Sequence, residues 1–138
     1  MWKAYHEITR QYQKISLSEE RRLIQEAQDG SVKSKEELIL RHIGFLMFRI
    51  HKKTFPQLLK QFGEDLLADS ILILYKKVET YNLDYRDKQG HLKPVKFISY
   101  ILKRIDGFII DFLKKELEKE KANLHGETTI QMLGLPPQ

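Results

Sequence analysis

Apolar side chains that recur at intervals of three and four residues are the feature that most constrains the fold of this chain. Two of the clearest runs are Leu67, Ile71, Leu74 and Val78, and Phe97, Ile101, Ile105, Phe108 and Phe112. Residues at this spacing lie on one face of an α-helix, and no segment shows the sustained alternation that predicts a strand. The sequence therefore predicts an all-α fold, a compact helical bundle of three to five helices.

Capping residues, glycines and prolines set the expected helix boundaries in the first half of the chain. The first of these helices is predicted to begin at Leu17 and to end at Asp29-Gly30. A second helix is predicted to begin within Ser31-Val32-Lys33-Ser34, where Ser34 and Glu37 match a capping box, and to end before Phe55-Pro56. Both helices are expected to lie in one domain.

The second half is predicted to contain two long helices separated by a loop. Residues 57–62 are expected to form a short helical turn, residues 64–81 a strong helix, and residues 82–94 a loop. Pro94 suits the first turn of the last helix. The predicted organisation is an N-terminal helical extension (1–16), a helical domain (17–116), and a charged helix end with a flexible tail (117–138).

The composition narrows the class of protein. Lys and Arg number 24 against 19 Asp and Glu, and the net charge of +5 favours polyanionic partners such as nucleic acid. The absence of cysteine excludes a disulfide scaffold or a thiolate metal site. No apolar run approaches the roughly 20 residues that span a bilayer, and no histidine pair has metal-ligand spacing. We expect a cytoplasmic protein with no membrane contact, cofactor or metal, and not an enzyme.

One face of the last helix combines an aromatic ring with several cations. The residues that share it are Tyr100, Lys103 or Arg104, Gly107, Asp111 and Lys114. Cations neutralise phosphates and a ring stacks on an unpaired base, and sequence-tolerant binding of single strands is built in this way. The alternative is that Phe97 and Tyr100 belong to the core and that the cations only solvate the surface.

Several short motifs follow one another in a definite order along the chain. They are Ala27-Gln-Asp-Gly30, Glu37-Leu-Ile39, Asp65-Leu-Leu-Ala-Asp69, Tyr81-Asn82, Lys96-Phe-Ile-Ser-Tyr100 and Asp111-Phe-Leu-Lys-Lys115. In order and approximate spacing they resemble the second region of bacterial sigma factors, the specificity subunits of RNA polymerase. The resemblance covers about 17–115, is closest to the small alternative sigma factors, and implies the helical fold of that domain.

The resemblance implies a DNA-binding role for the last helix. In the family this helix captures the unpaired strand at the minus-ten promoter element with aromatic and basic side chains. By position, the residues implied to bind promoter DNA, especially its non-template single strand, are Lys96, Phe97, Tyr100, Lys103, Arg104, Lys114 and Lys115. Primary sigma factors have a tryptophan pair where this chain has Lys103 and Arg104, a departure that predicts weaker melting and stricter promoter demands.

The resemblance also implies that the preceding helix docks on core RNA polymerase. In the family this helix presents acidic residues to a basic coiled coil on the clamp of the largest subunit. Glu64, Asp65 and Asp69 fall at or beside those positions, and opposite charges across such an interface speed encounter and fix register. Ala68 and Ile71 stand where the family often has polar residues. The alternative is that these carboxylates form a solvated helix edge.

Two features depart from the family pattern. The loop 82–94 is longer than in most members, so its basic residues would either touch DNA or belong to an exposed insertion, the interpretation we favour. These residues are Arg86, Lys88, His91 and Lys93. The chain after the last helix is too short for the domain that reads the minus-thirty-five element. We therefore expect an excised domain, a split factor whose partner chain supplies that domain, or a reduced sigma-like factor.

The sequence thus predicts a sigma-like transcription initiation factor that docks on the polymerase clamp and recognises or melts the minus-ten element. The main rival hypothesis is a regulatory protein of the same fold that binds RNA polymerase, or another partner, without opening DNA. A second rival is a helical interaction protein whose positive charge is incidental. One cluster separates these hypotheses, because only a protein that engages DNA needs it: Phe97, Tyr100, Lys103 and Arg104.

Overall fold

The computed structural model describes residues 3–124, which fold into six α-helices. They are α1 (Lys3–Gln11), α2 (Leu17–Gln28), α3 (Val32–Leu40), α4 (Ile43–Lys53), α5 (Pro56–Thr80) and α6 (Phe97–Leu124). The predicted all-α fold is confirmed, with one helix more in the described part than the upper bound expected. α6 ends at Leu124, within the segment 117–138 for which a charged helix end and a flexible tail were predicted, and the rest of that segment lies outside the described residues.

One apolar core joins the helices. Ile24, Leu46, Leu74 and Ile101, from four different helices, are wholly buried in it. α1, predicted only as an extension, packs on α4 and brings Tyr5 and Ile8 against this core. The packing is close at Gly44, where a Cβ would lie 3.0 Å from the Thr9 methyl group. The segment before α2 is therefore part of the packed structure.

The predicted second helix is divided in two at Arg41 and His42. The Nδ1–H of His42 donates to the carbonyl oxygen of Leu38 (2.7 Å), the acceptor that the His42 backbone N–H would use in a continuous helix. The backbone N–H of His42 bonds instead to Ile39 (2.9 Å), which closes a tighter turn. The His42 side chain thus replaces one backbone bond, and α4 begins at the next residue.

The N-cap of α3 is Ser31, at the beginning of the segment 31–34 in which the helix was predicted to start. The Ser31 hydroxyl accepts the backbone N–H of Ser34 (3.1 Å), so the predicted capping box of Ser34 with Glu37 is wrong. Ser34 lies in the first turn, and its hydroxyl donates to Glu26 on α2 (2.6 Å). This hydrogen bond and the nearby Arg22 guanidinium hold the pKa of Glu26 below its ordinary value.

α5 is one helix where a short turn and a separate helix were predicted. It begins at Pro56, whose ring suits the first helical position because no backbone N–H is needed there. Gly63 does not interrupt it, since Gly63 lies on the buried side between Leu58 and Leu66 and the core holds this stretch in place. Packing outweighs the low helix propensity of glycine at this position.

α5 and α6 pack against each other in antiparallel directions. The rings of Phe62 and Phe112 meet edge to face at one end of the pair (centroids 5.7 Å apart). At the other end, the hydroxyls of Thr80 and Tyr100 lie 2.8 Å apart. The segment 81–96 connects the helices at this second end. Pro94 lies in this segment, three residues before α6 begins, and not in the first turn of α6 as predicted.

Candidate nucleic-acid interface

The apolar residues of α6 fix which of its sides faces solvent. Five of them, at successive intervals of four residues, are at most 2% exposed: Phe97, Ile101, Ile105, Ile109 and Leu113. The opposite side of the helix is therefore left open. This exposed face, which we call the α6 face, carries most of the residues implied to bind DNA.

A carboxylate from α2 determines where α6 begins. Glu20 is only 7% exposed, and its Oε2 accepts the backbone N–H of Phe97 (3.0 Å). Its Oε1 lies 3.6 Å from Nε2 of His42, whose ring packs edge-on against Phe97. A carboxylate at a helix N-terminus satisfies a free N–H and interacts favourably with the helix dipole. The first turn of α6 is thereby held to α2 and α4.

Phe97 is a core residue, so the prediction that its side chain contacts DNA is wrong in this conformation. The ring is wholly buried, with the rings of His42, Tyr81 and Tyr100 around it. The spacing that places Phe97 beside Tyr100 also places it first in the buried series of α6. Its contribution to the α6 face is to support the ring of Tyr100.

Tyr100 lies at the edge of the core with its ring partly exposed. Its hydroxyl is 2.8 Å from the Thr80 hydroxyl, and its ring packs edge-on against Tyr81 (centroids 5.3 Å apart). The ammonium group of Lys77 lies 5.1 Å from the ring centroid, within the range of a cation–π interaction. Lys77 therefore covers the aromatic surface on which a base would stack. The sequence does not predict this contact, because Lys77 belongs to α5 and Tyr100 to α6.

The predicted cations on the α6 face are exposed. Lys96, Lys103, Arg104, Lys114 and Lys115 project to solvent, and in the described part of the chain none of them forms an ion pair. The structure brings Lys103 and Arg104 near Tyr100 along the helix. Lys114 lies eleven residues beyond Lys103, about 16 Å further along the axis, so Lys114 and Lys115 form a separate group.

The carboxylate of Asp106 is kept away from these cations. It forms a two-point ion pair with Arg49 of α4 (Nε–Oδ1 2.9 Å and Nη2–Oδ2 2.5 Å), and both side chains are mostly buried. The hydrogen bond to Asp106 raises the pKa of the Arg49 guanidinium, which stays charged. Asp111, by contrast, is exposed on the α6 face. Pairing of Asp106 leaves the α6 face with a positive balance.

Gly107 occupies the middle of the α6 face. It is exposed and helical, and a Cβ built there would meet no atom within 4 Å. Neither packing nor a positive φ requires glycine at this position, where alanine would favour the helix by about 1 kcal/mol. Because Gly107 has no side chain, the helix backbone is uncovered between Lys103 and Lys114. A large ligand can approach the backbone at that point.

The residues implied to bind polymerase form a different surface, on α5. Glu64, Asp65 and Asp69 are all exposed and, within the described residues, take part in no ion pair. Leu72, 61% exposed, lies one turn beyond Asp69 on the same side of the helix. The exposure of Leu72 could not be predicted from the sequence, because all four residues of the run 71–74 are apolar. We call these four residues the α5 face.

No protein-family model, no curated protein and no solved structure matches this chain. Within residues 3–124, no helix is long and apolar enough to cross a membrane. The same residues contain no cluster of three or more His, Cys, Asp or Glu side chains placed to hold a metal ion. The chemistry of the two helix faces is therefore the basis for a proposal about function.

Proposed function

We propose that this protein is a sigma-like transcription initiation factor. It docks on the clamp of core RNA polymerase through the α5 face and recognises or melts the minus-ten promoter element through the α6 face. The observation that carries this proposal is a pair of oppositely charged helix faces. Exposed carboxylates without an ion-pair partner among the described residues lie together on the α5 face, and exposed cations without such a partner lie on the α6 face. A factor with these partners works in the cytoplasm.

The α6 face suits the capture of one unpaired base. Lys103 and Arg104 would neutralise the phosphates on either side of a base that stacks on the Tyr100 ring, after the Lys77 ammonium has moved aside. Stacking on an aromatic ring contributes roughly 1–3 kcal/mol per base, whereas removing a base from duplex DNA costs a few kcal/mol. Since Phe97 is buried, only Tyr100 of the implied aromatic pair is available. The face therefore favours capture of strands that polymerase helps to open.

The α5 face suits a basic helical partner. Asp65 and Asp69 are one turn apart and attract cations over long distances, which speeds encounter and sets the register of docking. Leu72 provides apolar area beside them, and burial of apolar area contributes about 25 cal/mol per Å². A basic coiled coil would pair its cations with Asp65 and Asp69. An apolar residue of that partner, one helical turn further along, would pack on Leu72 and bury it.

Two observations favour the rival hypothesis of a regulator that binds polymerase without opening DNA. Phe97 is buried, and Tyr100 is held by Thr80 and covered by Lys77. A protein that only occupies the clamp needs the α5 face and has no use for exposed aromatic rings. The same experiment separates the two hypotheses.

The test measures binding of a fluorescent single strand that carries a minus-ten-like sequence, with and without core RNA polymerase. The first variant combines Tyr100→Ala with Lys103→Ala, and Lys33→Ala, which removes an exposed charge from α3, is its control. The second variant combines Asp65→Asn with Asp69→Asn, and Glu36→Gln on α3 is its control. Polymerase binding is followed separately with labelled protein.

The initiation-factor proposal expects polymerase-dependent, sequence-selective capture that the first variant loses. The second variant is expected to weaken polymerase binding, while both controls behave like the original protein. Tight polymerase binding without capture of the strand would favour the regulator. Failure to bind polymerase at all would exclude both hypotheses.

A further inference from the structure

The segment between α5 and α6 forms a short β-hairpin. The backbone N–H of Asp87 donates to His91 (2.9 Å), and that of Lys93 donates to Tyr85 (2.9 Å). Arg86 and Leu92 face each other between these two bonds as an antiparallel bridge. The longer loop noted in the sequence is therefore folded back on itself and closed by a single antiparallel bridge.

Side chains at the tip and the base hold this hairpin in place. Oδ1 of Asp87 accepts the backbone N–H groups of Gln89 (2.9 Å) and His91 (3.0 Å), and Gly90 adopts the positive φ (84°) that the turn requires. At the base, the Tyr81 hydroxyl donates to the carbonyl of Val95. Burial raises the pKa of Tyr81, so this phenol remains a donor. The hairpin is fixed relative to α5.

The hairpin carries an excess of positive charge that no carboxylate among the described residues neutralises. Arg86, Lys88, Lys93 and Lys96 are exposed, and within the described part of the chain none of them pairs with a carboxylate. The segment's acidic residues are Asp84 and Asp87, and Asp87 is engaged by the turn. Lys88, Lys93 and Lys96 are therefore available to bind an anion outside the protein, whereas Arg86 donates to the Gly90 carbonyl within the turn.

Both sides of the hairpin are also uncovered. Tyr85 and Leu92 are each 48% exposed. Because side chains alternate along a strand, Tyr85 lies beside Lys93 on one side, and Leu92 lies beside Arg86 on the other. Each side thus pairs an apolar group with a cation, and this combination contacts both the sugars and the phosphates of a nucleic-acid backbone.

We propose that this hairpin is a second DNA-binding element, which holds the duplex next to the unpaired strand on the α6 face. The major groove of duplex DNA, about 12 Å wide, admits two antiparallel chain segments, and the hairpin presents two such segments joined by one bridge. The phosphates of duplex DNA supply negatively charged partners for the exposed lysines of the hairpin. The hairpin also leads through Lys96 directly into the first turn of α6, so one DNA molecule reaches both elements. The inference rests on the proposed function.

The test compares two fluorescent DNAs that share the same minus-ten-like single strand, one of them joined to a short duplex. Binding is measured over a range of salt concentrations, with core RNA polymerase present. The variant combines Lys88→Ala with Lys93→Ala and spares Arg86, which donates to the Gly90 carbonyl (3.0 Å) and supports the turn. The control combines Lys33→Ala with Lys60→Ala, two exposed cations on α3 and α5. Circular dichroism checks that each protein is folded.

The variant is expected to bind the forked DNA about tenfold more weakly, with a salt dependence reduced by about two phosphate contacts, and to bind the single strand normally. An unchanged affinity and salt dependence on forked DNA would overturn the hairpin proposal and leave the proposed function standing. Equal loss on both DNAs would overturn the assignment of the hairpin to duplex. If the original protein binds neither DNA, the proposed function fails as well.

Discussion

Replacement of Gly107 by alanine tests whether DNA approaches the backbone of α6. Gly107 lies well inside a 28-residue helix and faces solvent. A methyl group there meets no protein atom within 4 Å, so the substitution introduces no strain. If Gly107 has only a structural role, Gly107→Ala raises the stability of the protein and leaves DNA binding unchanged. If DNA lies across this position, the added methyl group also weakens DNA binding.

The expected gain in stability follows from helix propensity. Alanine is favoured over glycine inside a helix by about 0.8–1 kcal/mol. The unfolding entropy of a domain of this size, about 2.1 cal/mol/K per residue, converts this gain into a rise of about 3–4 °C in Tm. Loss of one phosphate contact beside Lys103 would cost about 1 kcal/mol of binding, or roughly a fivefold weaker Kd. Stability and binding are thus expected to change in opposite directions.

Calorimetry and fluorescence anisotropy with the minus-ten-like single strand measure the two quantities. Ala68→Gly, an exposed position inside α5, is the control because it should lower Tm by a similar amount and leave DNA binding unchanged. A raised Tm with unaltered binding would refute the close approach of DNA at Gly107. A lowered Tm would refute the open surroundings on which the expected gain depends.

Two further substitutions test the contacts that position α6. Glu20→Ala leaves the buried Phe97 N–H without an acceptor and is expected to destabilise the protein by about 2 kcal/mol; denaturant titration checks this, and an effect no larger than that of the exposed Glu36→Ala would contradict it. Arg49→Ala leaves the Asp106 carboxylate mostly buried and unpaired, a loss of about 2–3 kcal/mol after allowance for its residual exposure. Addition of Asp106→Asn should recover about 1 kcal/mol of that loss, and no recovery would argue against an unpaired charge as its cause.

The sequence predicts the helices well wherever burial alone decides the structure. The residues on the stripes of α4, α5 and α6 are spaced as helices require, and most of them lie in the core. The break at Arg41 and His42 was not predictable from spacing, because the apolar positions continue at helical intervals from Leu38 and Ile39 in α3 to Ile43 and Leu46 in α4. The division predicted between the turn at 57–62 and the helix at 64–81 is absent, since packing around the buried Gly63 outweighs the low helix propensity of glycine.

In the candidate site too, residue spacing predicts some features, whereas others depend on how the helices pack. Spacing alone identifies Lys103, Arg104 and Lys114 as exposed, because they lie opposite the apolar stripe. Spacing does not show whether Phe97 or Tyr100 belongs to the core, as the two rings lie at neighbouring edges of that stripe. It also cannot show that Lys77 covers the Tyr100 ring, since this contact depends on how α5 and α6 pack.

The hydrogen bond between Glu20 and Phe97 has a consequence for the order in which the molecule is assembled. Its two partners are 77 positions apart in the sequence. α2 leaves the ribosome long before α6, and contacts between distant residues form late because a long loop must first close. The α6 face therefore acquires its support only after most of the chain has been synthesised. A nascent chain that ends before residue 97 lacks this surface entirely, so any ligand of the α6 face would find its site only when the fold is nearly complete.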